Sequence, residues 1–211
     1  MAAANFTVAG ASDSGKTTWI KHEPLPNLPR HGRKVPIVDV ENEYGDVADA
    51  KIQRPEQFVP AFKDGHDIVR WVPGNLKNPE LGKEALEHNA EQLDRAIMCW
   101  TAYPGATTGL IEEAHNFQTN QKIYSAALAK LMKQGDKYQH NVIQASQEPQ
   151  DFHRSCWYNG GDVVVFGLRN TPKKLKELLD GQDPTELQRY HYIHIPSDPY
   201  AAAKIYPPIS I

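Results

Sequence analysis

The sequence predicts an α/β fold with a mostly parallel central sheet flanked by helices. Three observations predict it. Short apolar runs of β character alternate with amphipathic helical runs, the pattern of parallel strands joined by crossover helices. The first such run, residues 5–9, passes directly into Gly10-Ala-Ser-Asp-Ser-Gly-Lys-Thr17, a complete G-x-x-x-x-G-K-[ST] loop followed by a helix-forming stretch. A later apolar run ends in the acidic pair Glu112-Glu113. A phosphate loop works only at a strand–loop–helix junction, so its flanks matter as much as its letters.

The remaining elements follow in chain order. Residues 25–34 are a proline-broken basic connection, and 35–41 read as the second strand. Residues 55–62 suit a short helix and 66–72 a third strand. Asn78 is placed to cap, and Pro79 to open, a long helix running to about Trp100. A fourth strand covers 107–112, and an amphipathic helix covers 121–134, ended near Gly135. Residues 141–147 and 162–168 give strands five and six. The last stretch, 170–211, reads as a small extension with helices at 172–179 and 184–189 and strand-like runs at 190–195 and 202–206. No internal repeat or low-complexity segment interrupts the pattern, so residues 1–211 are expected to form one phosphate-loop domain.

Composition narrows the functional classes. With 40% hydrophobic and 23% charged residues the chain has an ordinary globular make-up. No stretch approaches the roughly 18 apolar residues of a membrane span, and the N-terminus lacks the charged and apolar regions of a signal peptide. Cys99 and Cys156 imply no disulfide framework and read as packing residues in a reducing interior. A formal charge of −3 argues against a generally basic coat for nucleic acid, yet leaves room for a local basic lining.

The chemistry concentrates at strand ends. Gly10 and Gly15 let the backbone curl so that N–H groups point inward at phosphate oxygens, with the helix N-terminus adding its partial positive charge. The predicted nucleotide-binding set is Gly10, Ser12, Asp13, Ser14, Gly15, Lys16, Thr17 and Thr18. Within it Lys16 reaches the β- and γ-phosphates, and the Thr17 hydroxyl holds Mg²⁺. Of the acidic pair, Glu112 is expected in the Mg²⁺ shell and Glu113 as the base that activates water. Gln147, at the tip of the fifth strand, is placed to sense the γ-phosphate or the attacking water.

Taken in order, the phosphate loop, Leu110-Ile-Glu-Glu-Ala-His115, Leu131-Met-Lys-Gln-Gly135 and Val142-Ile-Gln-Ala-Ser-Gln-Glu-Pro149 resemble the HerA/FtsK superfamily of DNA-pumping ATPases. The compact size resembles the genome-packaging ATPases of membrane-containing icosahedral viruses with double jelly-roll capsids. The resemblance covers nearly the whole chain and implies a RecA-like P-loop NTPase fold, with ATP and Mg²⁺ as cofactors. It also implies double-stranded DNA as substrate, a homo-oligomeric ring with ATP between subunits, and partners at the capsid vertex or portal and among viral membrane proteins there. The implied location is the virion vertex or the host cytoplasm. Such motors usually supply an arginine across the subunit boundary. Where many relatives carry Gly-Arg, this chain reads Gly135-Asp136-Lys137, which leaves Arg154 and Arg169 as the candidates, with Lys137 behind them.

Other clusters have plainer readings. Arg30-His-Gly-Arg-Lys34 reads as a solvated basic turn, with contact to DNA phosphates the alternative; Lys173-Lys-Leu-Lys176 reads as a solvated helix face. His115 packs or couples nucleotide state to a neighbour, Trp19 packs on the sheet, and His191 and His194 point to opposite faces of a strand and share no metal. A conjugation or filamentous-phage assembly motor would fit the same motifs. A nucleotide or small-molecule kinase is disfavoured by the lack of an arginine-rich lid. A GTPase is disfavoured by the lack of Asn-Lys-x-Asp.

Overall fold

The computed structural model describes residues 5–158, 161–198 and 200–209. Its strands are β1 (Phe6–Ala9), β2 (Val35–Val38), β3 (Ala50–Ile52), β4 (Ile68–Trp71), β5 (Thr107–Ile111), β6 (His140–Ser146), β7 (Asp162–Phe166), β8 (Tyr192–Ile195) and β9 (Lys204–Tyr206). They form one sheet in the order β3-β4-β2-β5-β6-β1-β7-β8-β9. Strands β1 to β7 pair in parallel, while β8 and β9 close one edge antiparallel.

Helices cover both faces, which is why the central strands read as continuous apolar runs rather than alternating ones. The helices are α1 (Lys16–His22), α2 (Pro24–Arg30), α3 (Phe58–Lys63), α4 (Lys83–Thr101), α5 (Ala126–Gln134), α6 (Arg154–Tyr158) and α7 (Lys173–Lys176). Successive side chains of each strand go to opposite layers. Phe6, Val8, Ile37, Leu110, Ile143 and Val164 join Trp19, Ile20 and Leu25 from α1 and α2 in one layer. Val38, Ile111, Val142, Val163 and Val165 join Phe58, Leu93, Trp100 and Leu128 from α3, α4 and α5 in the other. Gly109 of β5 lies against the Trp100 ring, where a larger residue would collide.

The expected strands are all present, most of them a residue or two shorter. Other elements differ, among them the helix expected at 184–189, which is only a 3₁₀ turn, Pro184–Glu186. Residues 24–30 form a helix despite three prolines. Pro24 and Pro26 sit in its first turn, where backbone N–H groups have no intrahelical partner, and the helix stops one residue after Pro29. The Asn27 side chain donates to the Glu23 carbonyl at 2.6 Å, supplying a bond that the prolines cannot. The long helix begins later than expected: Asn78 caps a short 3₁₀ turn, Pro79–Leu81, and α4 starts only after Gly82, whose φ of 93° breaks the run. Likewise α5 starts at Ala126, where the Ser125 hydroxyl accepts from the Leu128 N–H at 3.0 Å. Strand β3 and helix α6 had no clear sequence signal.

The basic run at residues 30–34 is the expected solvated turn only in its first part, where Arg30, His31 and Gly32 are exposed; its last two residues are not. Arg33 is buried, donating from Nε to Thr108 Oγ1 at 2.6 Å and from Nη2 to the Thr107 and Gln139 carbonyls at 2.5 and 2.8 Å. Lys34 pairs with Asp67 at 2.6 Å. Arg33 ties the amino end of β2 to those of β5 and β6, and Lys34 ties it to that of β4, at the far end of the sheet from the phosphate loop. Lys173 and Lys176 are exposed, as expected of a solvated face; the side chain of Lys174 lies outside what the structure describes.

Candidate active site

Three adjacent central strands, β5, β6 and β1, aim their carboxyl ends at one cleft of about 460 Å³. Crevices at the carboxyl ends of parallel strands are where open α/β sheets bind ligands. β1 ends in the phosphate loop, which is tied down on both sides: Gly10 N–H donates to the Ser146 carbonyl at 3.3 Å and Ala11 N–H to the Gly167 carbonyl at 2.9 Å. Gly10 has no room for a side chain, since a Cβ would fall 2.6 Å from Ser14 Oγ and 2.7 Å from Phe166 Cβ. Gly15 adopts φ 106°, a conformation that glycine takes without strain, and so turns the chain into α1.

Residues Ser12 to Thr18 all line the cleft. The Lys16 side chain is buried there, and its Nζ donates to the Ala11 carbonyl at 3.2 Å. Burial lowers the Lys16 pKa, against the charges of Glu113, Glu43, Glu112 and Asp13, which favour the ammonium. Among the described residues, the buried Ser14 Oγ has no hydrogen-bond partner. An unpaired buried hydroxyl costs free energy on the order of 1–3 kcal/mol, so the loop holds a polar group awaiting a ligand oxygen.

Glu113 faces Lys16 from the tip of β5. Its backbone sits at φ 44°, ψ 54°, left-handed geometry that is uncommon for a glutamate and recurs at active sites. This twist sends its carboxylate to the Gln147 N–H at 3.2 Å and to His115 Nδ1 at 3.1 Å. Burial pushes the Glu113 carboxyl up, but the His115 and Gln147 hydrogen bonds and the Lys16 charge outweigh it and hold the group below the ordinary glutamate value. His115 also meets Ser146 Oγ at 3.0 Å, tying the tip of β5 to the tip of β6.

Glu112 points elsewhere. It is buried, and Oε2 accepts from the Glu41 N–H at 2.9 Å. Desolvation, reinforced by the charges of Asp39, Glu43 and Glu113, pushes it up to about 9. The acid nearest Thr17 is one that sequence reasoning missed: Glu43, whose Oε2 accepts the Thr17 hydroxyl at 2.7 Å. Asp39 fixes this loop, accepting from the Glu43 and Tyr44 N–H groups and from Arg70 at 2.7, 3.2 and 2.8 Å. The available signal was the acidic run Asp39-Val-Glu41-Asn-Glu43 at a strand tip, where like charges gather only beside a counter-charge. Among the described residues no three His, Cys, Asp or Glu side chains form a ready-made metal cage. The donors present fit Mg²⁺ all the same: a hydroxyl and one or two carboxylates suit a hard cation that keeps several waters and shares phosphate oxygens.

Gln147 lines the cleft. Arg169 lines an adjoining recess of about 600 Å³ together with Ala11, Ser12 and Gln147. Arg154 opens α6 with an exposed side chain outside both cavities. Lys137 sits by Tyr138, before β6, at the opposite end of the sheet. Trp19 packs on the sheet with Phe6, Phe166 and Tyr192. His194 pairs with Asp162 at 2.8 Å. Cys156 is buried and donates to Gln118 Oε1 at 3.3 Å, and burial pushes its thiol up to about 12.

A mostly parallel sheet, helices on both faces and a glycine-lysine-threonine loop at the tip of a central strand define the fold of the P-loop ATPases. No protein-family model matches the chain, and no curated protein matches it by sequence. Solved structures do. The chain is similar to the genome packaging NTPase B204 from Sulfolobus turreted icosahedral virus 2 in complex with AMPPCP, with a TM-score of 0.76 and 18% identity over 98% of each chain. It is also similar to VirB4 of Thermoanaerobacter pseudethanolicus, with a TM-score of 0.67 and 12% identity over 98% of this chain and 90% of that one. ATPases 2 and 3 of EssC from Geobacillus thermodenitrificans match at a TM-score of 0.55 and 12% identity, over 96% of this chain and 39% of that one.

Proposed function

We propose that this protein is an ATPase that drives double-stranded DNA into a preformed viral capsid. One observation carries the reading: Lys16, the phosphate loop and an ionised Glu113 converge in one cleft, on a fold that matches a genome packaging NTPase along its whole length.

In this reading the backbone N–H groups of residues 12–17 and the Ser14 hydroxyl bind the phosphates, and the Lys16 ammonium offsets charge on the β- and γ-phosphates. Thr17, with Glu112 or Glu43, would hold Mg²⁺, which neutralises phosphate charge and orients the γ-phosphate when bound. Glu113, kept ionised by His115, accepts a proton from the attacking water. Its second contact, the Gln147 N–H, lets the tip of β6 register whether that carboxylate is bonded to water or to the chain. A cation from the next subunit of a ring completes charge neutralisation. Arg154 suits that role through its exposure, whereas Arg169 suits a role within its own subunit, since it shares a recess with Ala11 and Ser12. The partners are then double-stranded DNA, further copies of the chain, and capsid-vertex or viral membrane proteins, at the virion vertex or in the host cytoplasm. A conjugation or filamentous-phage assembly motor is the second reading, and the likeness to VirB4 favours it only weakly.

The test is the rate of ATP hydrolysis against added double-stranded DNA, single-stranded DNA and nucleoside monophosphates at low salt, because phosphate contacts weaken steeply with ionic strength. Stimulation by double-stranded DNA is expected, and stimulation by single-stranded DNA alone favours the conjugation motor. Phosphate transfer to a monophosphate would make the protein a kinase. Lys16→Ala should abolish turnover. Glu113→Gln should lower kcat by about 10²–10⁴ while nucleotide still binds. Wild-type rates in both variants would refute the site.

A further inference from the structure

Beside the phosphate cleft lies a second, smaller cavity of about 230 Å³. The two share Gly15, Thr18 and Tyr190, so they are continuous across the start of α1. The cavity's walls are aromatic: Trp19, Phe166 and Tyr192 pack on one another with ring centroids 5.4–6.5 Å apart. The C-terminal segment Pro208–Ile209 closes the remaining side.

Tyr190 stands at the junction. Its φ of 66° is left-handed, which is rare and strained for a bulky residue and persists only where the surroundings fix it. Here two contacts do so. The ring lies over the phosphate loop, with its Cδ1 3.2 Å from where a Gly15 Cβ would be, and the Arg189 guanidinium covers the ring at 4.7 Å from its centroid. Even so, 43% of Tyr190 remains exposed, toward the cavities it lines.

We propose that this aromatic cavity seats the base of the nucleotide whose phosphates occupy the loop, with Tyr190 as the stacking platform. The proposal rests on the phosphate-loop reading. It commits to that occupant because a base tethered to loop-bound phosphates has its nearest apolar, aromatic recess here, on the far side of Thr18. Every base has a π-face, and aromatic platforms hold bases with little regard to sequence. The lining also says how selective the seat is. Among the described residues it contains no carboxylate, side-chain amide or ammonium, and its polar side-chain groups are the Thr18, Tyr190 and Tyr192 hydroxyls and the Trp19 N–H. Strong discrimination between bases needs buried polar groups left unpaired by the wrong one, and the walls of this cavity offer few. The seat therefore takes purines by stacking and tells adenine from guanine weakly.

The experiment is calorimetric titration of wild type, Tyr190→Ala and Tyr190→Phe with ATP, GTP and inorganic tripolyphosphate. Tyr190→Ala should weaken ATP and GTP about tenfold or more while tripolyphosphate affinity changes by less than about twofold, and Tyr190→Phe should restore nucleotide binding. In the wild type ATP and GTP should bind within about tenfold of each other. Unchanged ATP affinity in Tyr190→Ala, or parallel loss of ATP and tripolyphosphate, overturns the base seat while leaving the phosphate loop intact. A preference for ATP beyond about a hundredfold overturns the stacking account. Failure of the wild type to bind any of the three overturns the phosphate-loop reading and this inference with it.

Discussion

Gly109 is the point where the strand carrying the acids is most sensitive to added volume. A Cβ there would fall 2.7 Å from Trp100 Cζ2, 3.1 Å from Cε2 and 3.2 Å from Cη2. The indole has nowhere to go: it is fully buried and stands edge-on to Phe58, with ring centroids 5.9 Å apart. Gly109→Ala therefore forces either the ring or β5 to shift by more than half an ångström. Such overpacking costs about 1–3 kcal/mol. The smaller entropy of an unfolded alanine chain returns about 0.4–1 kcal/mol, because the extended backbone of a strand suits alanine. The central values leave a net loss of a little over about 1 kcal/mol, read in urea as a midpoint lower by roughly half a molar. Trp100→Phe removes the atoms that collide, so the double variant should lose at least about 1 kcal/mol less than the sum of the two single variants. If β5 is what moves, Glu112 and Glu113 move with it and turnover falls as well. Additive losses, or an unchanged midpoint in Gly109→Ala, would refute the close contact.

Glu112 and Asp162 make opposite predictions about pH. Glu112 binds its proton more tightly folded than unfolded, so its stabilising effect is complete below the ordinary value of 4.5 and is lost as pH rises through about 9. In metal-free buffer the wild-type urea midpoint should fall across that window, and Glu112→Gln should flatten the slope; parallel slopes would rule this out. For Asp162, burial raises the pKa, but bonds from His194 and Ser197 prevail and hold it low, so its contribution is present above the ordinary 3.8 and is lost as pH falls through the lower folded value. Asp162→Asn should cost about 1 kcal/mol at pH 6, the gap closing toward pH 2. A gap that persists in acid would mean that the side chain acts through packing alone. Glu43→Gln should weaken Mn²⁺ binding to the nucleotide complex, measured by paramagnetic resonance, if Glu43 joins the metal shell; unchanged Mn²⁺ affinity would leave it a tether for Thr17 only.

The sequence made the architecture readable because its strands are buried on both faces and stand out as apolar runs, each ending where chemistry begins. The phosphate loop, Glu113 and Gln147 were visible for the same reason: loop, acid and amide all sit at strand tips. What stayed hidden depends on contacts distant in the chain. Glu43 and Tyr190 meet the phosphate loop only after β2 and β8 take their places; the acidic run at 39–43 hints at the first, and no local pattern marks the second. Arg33 looked like a surface charge because a buried guanidinium is legible only with its three oxygen partners in view. The helix at 24–30 was masked by prolines that break helices elsewhere but are harmless in a first turn.

The position of β1 bears on how the chain comes to life. It is made well over a hundred residues before its neighbours, β6 and β7: Phe6 pairs with Ile143 on one side and Asp162 on the other. At roughly 5–20 residues per second, the loop's own strand waits on the order of ten seconds for partners. During that interval an apolar segment carries the phosphate loop without a sheet to hold it, and the long-range closure that follows is slow. The phosphate loop is thus held in shape only once β6 and β7 have been made, and a chain that stalls before Ser146 lacks the carbonyl that accepts from the Gly10 N–H.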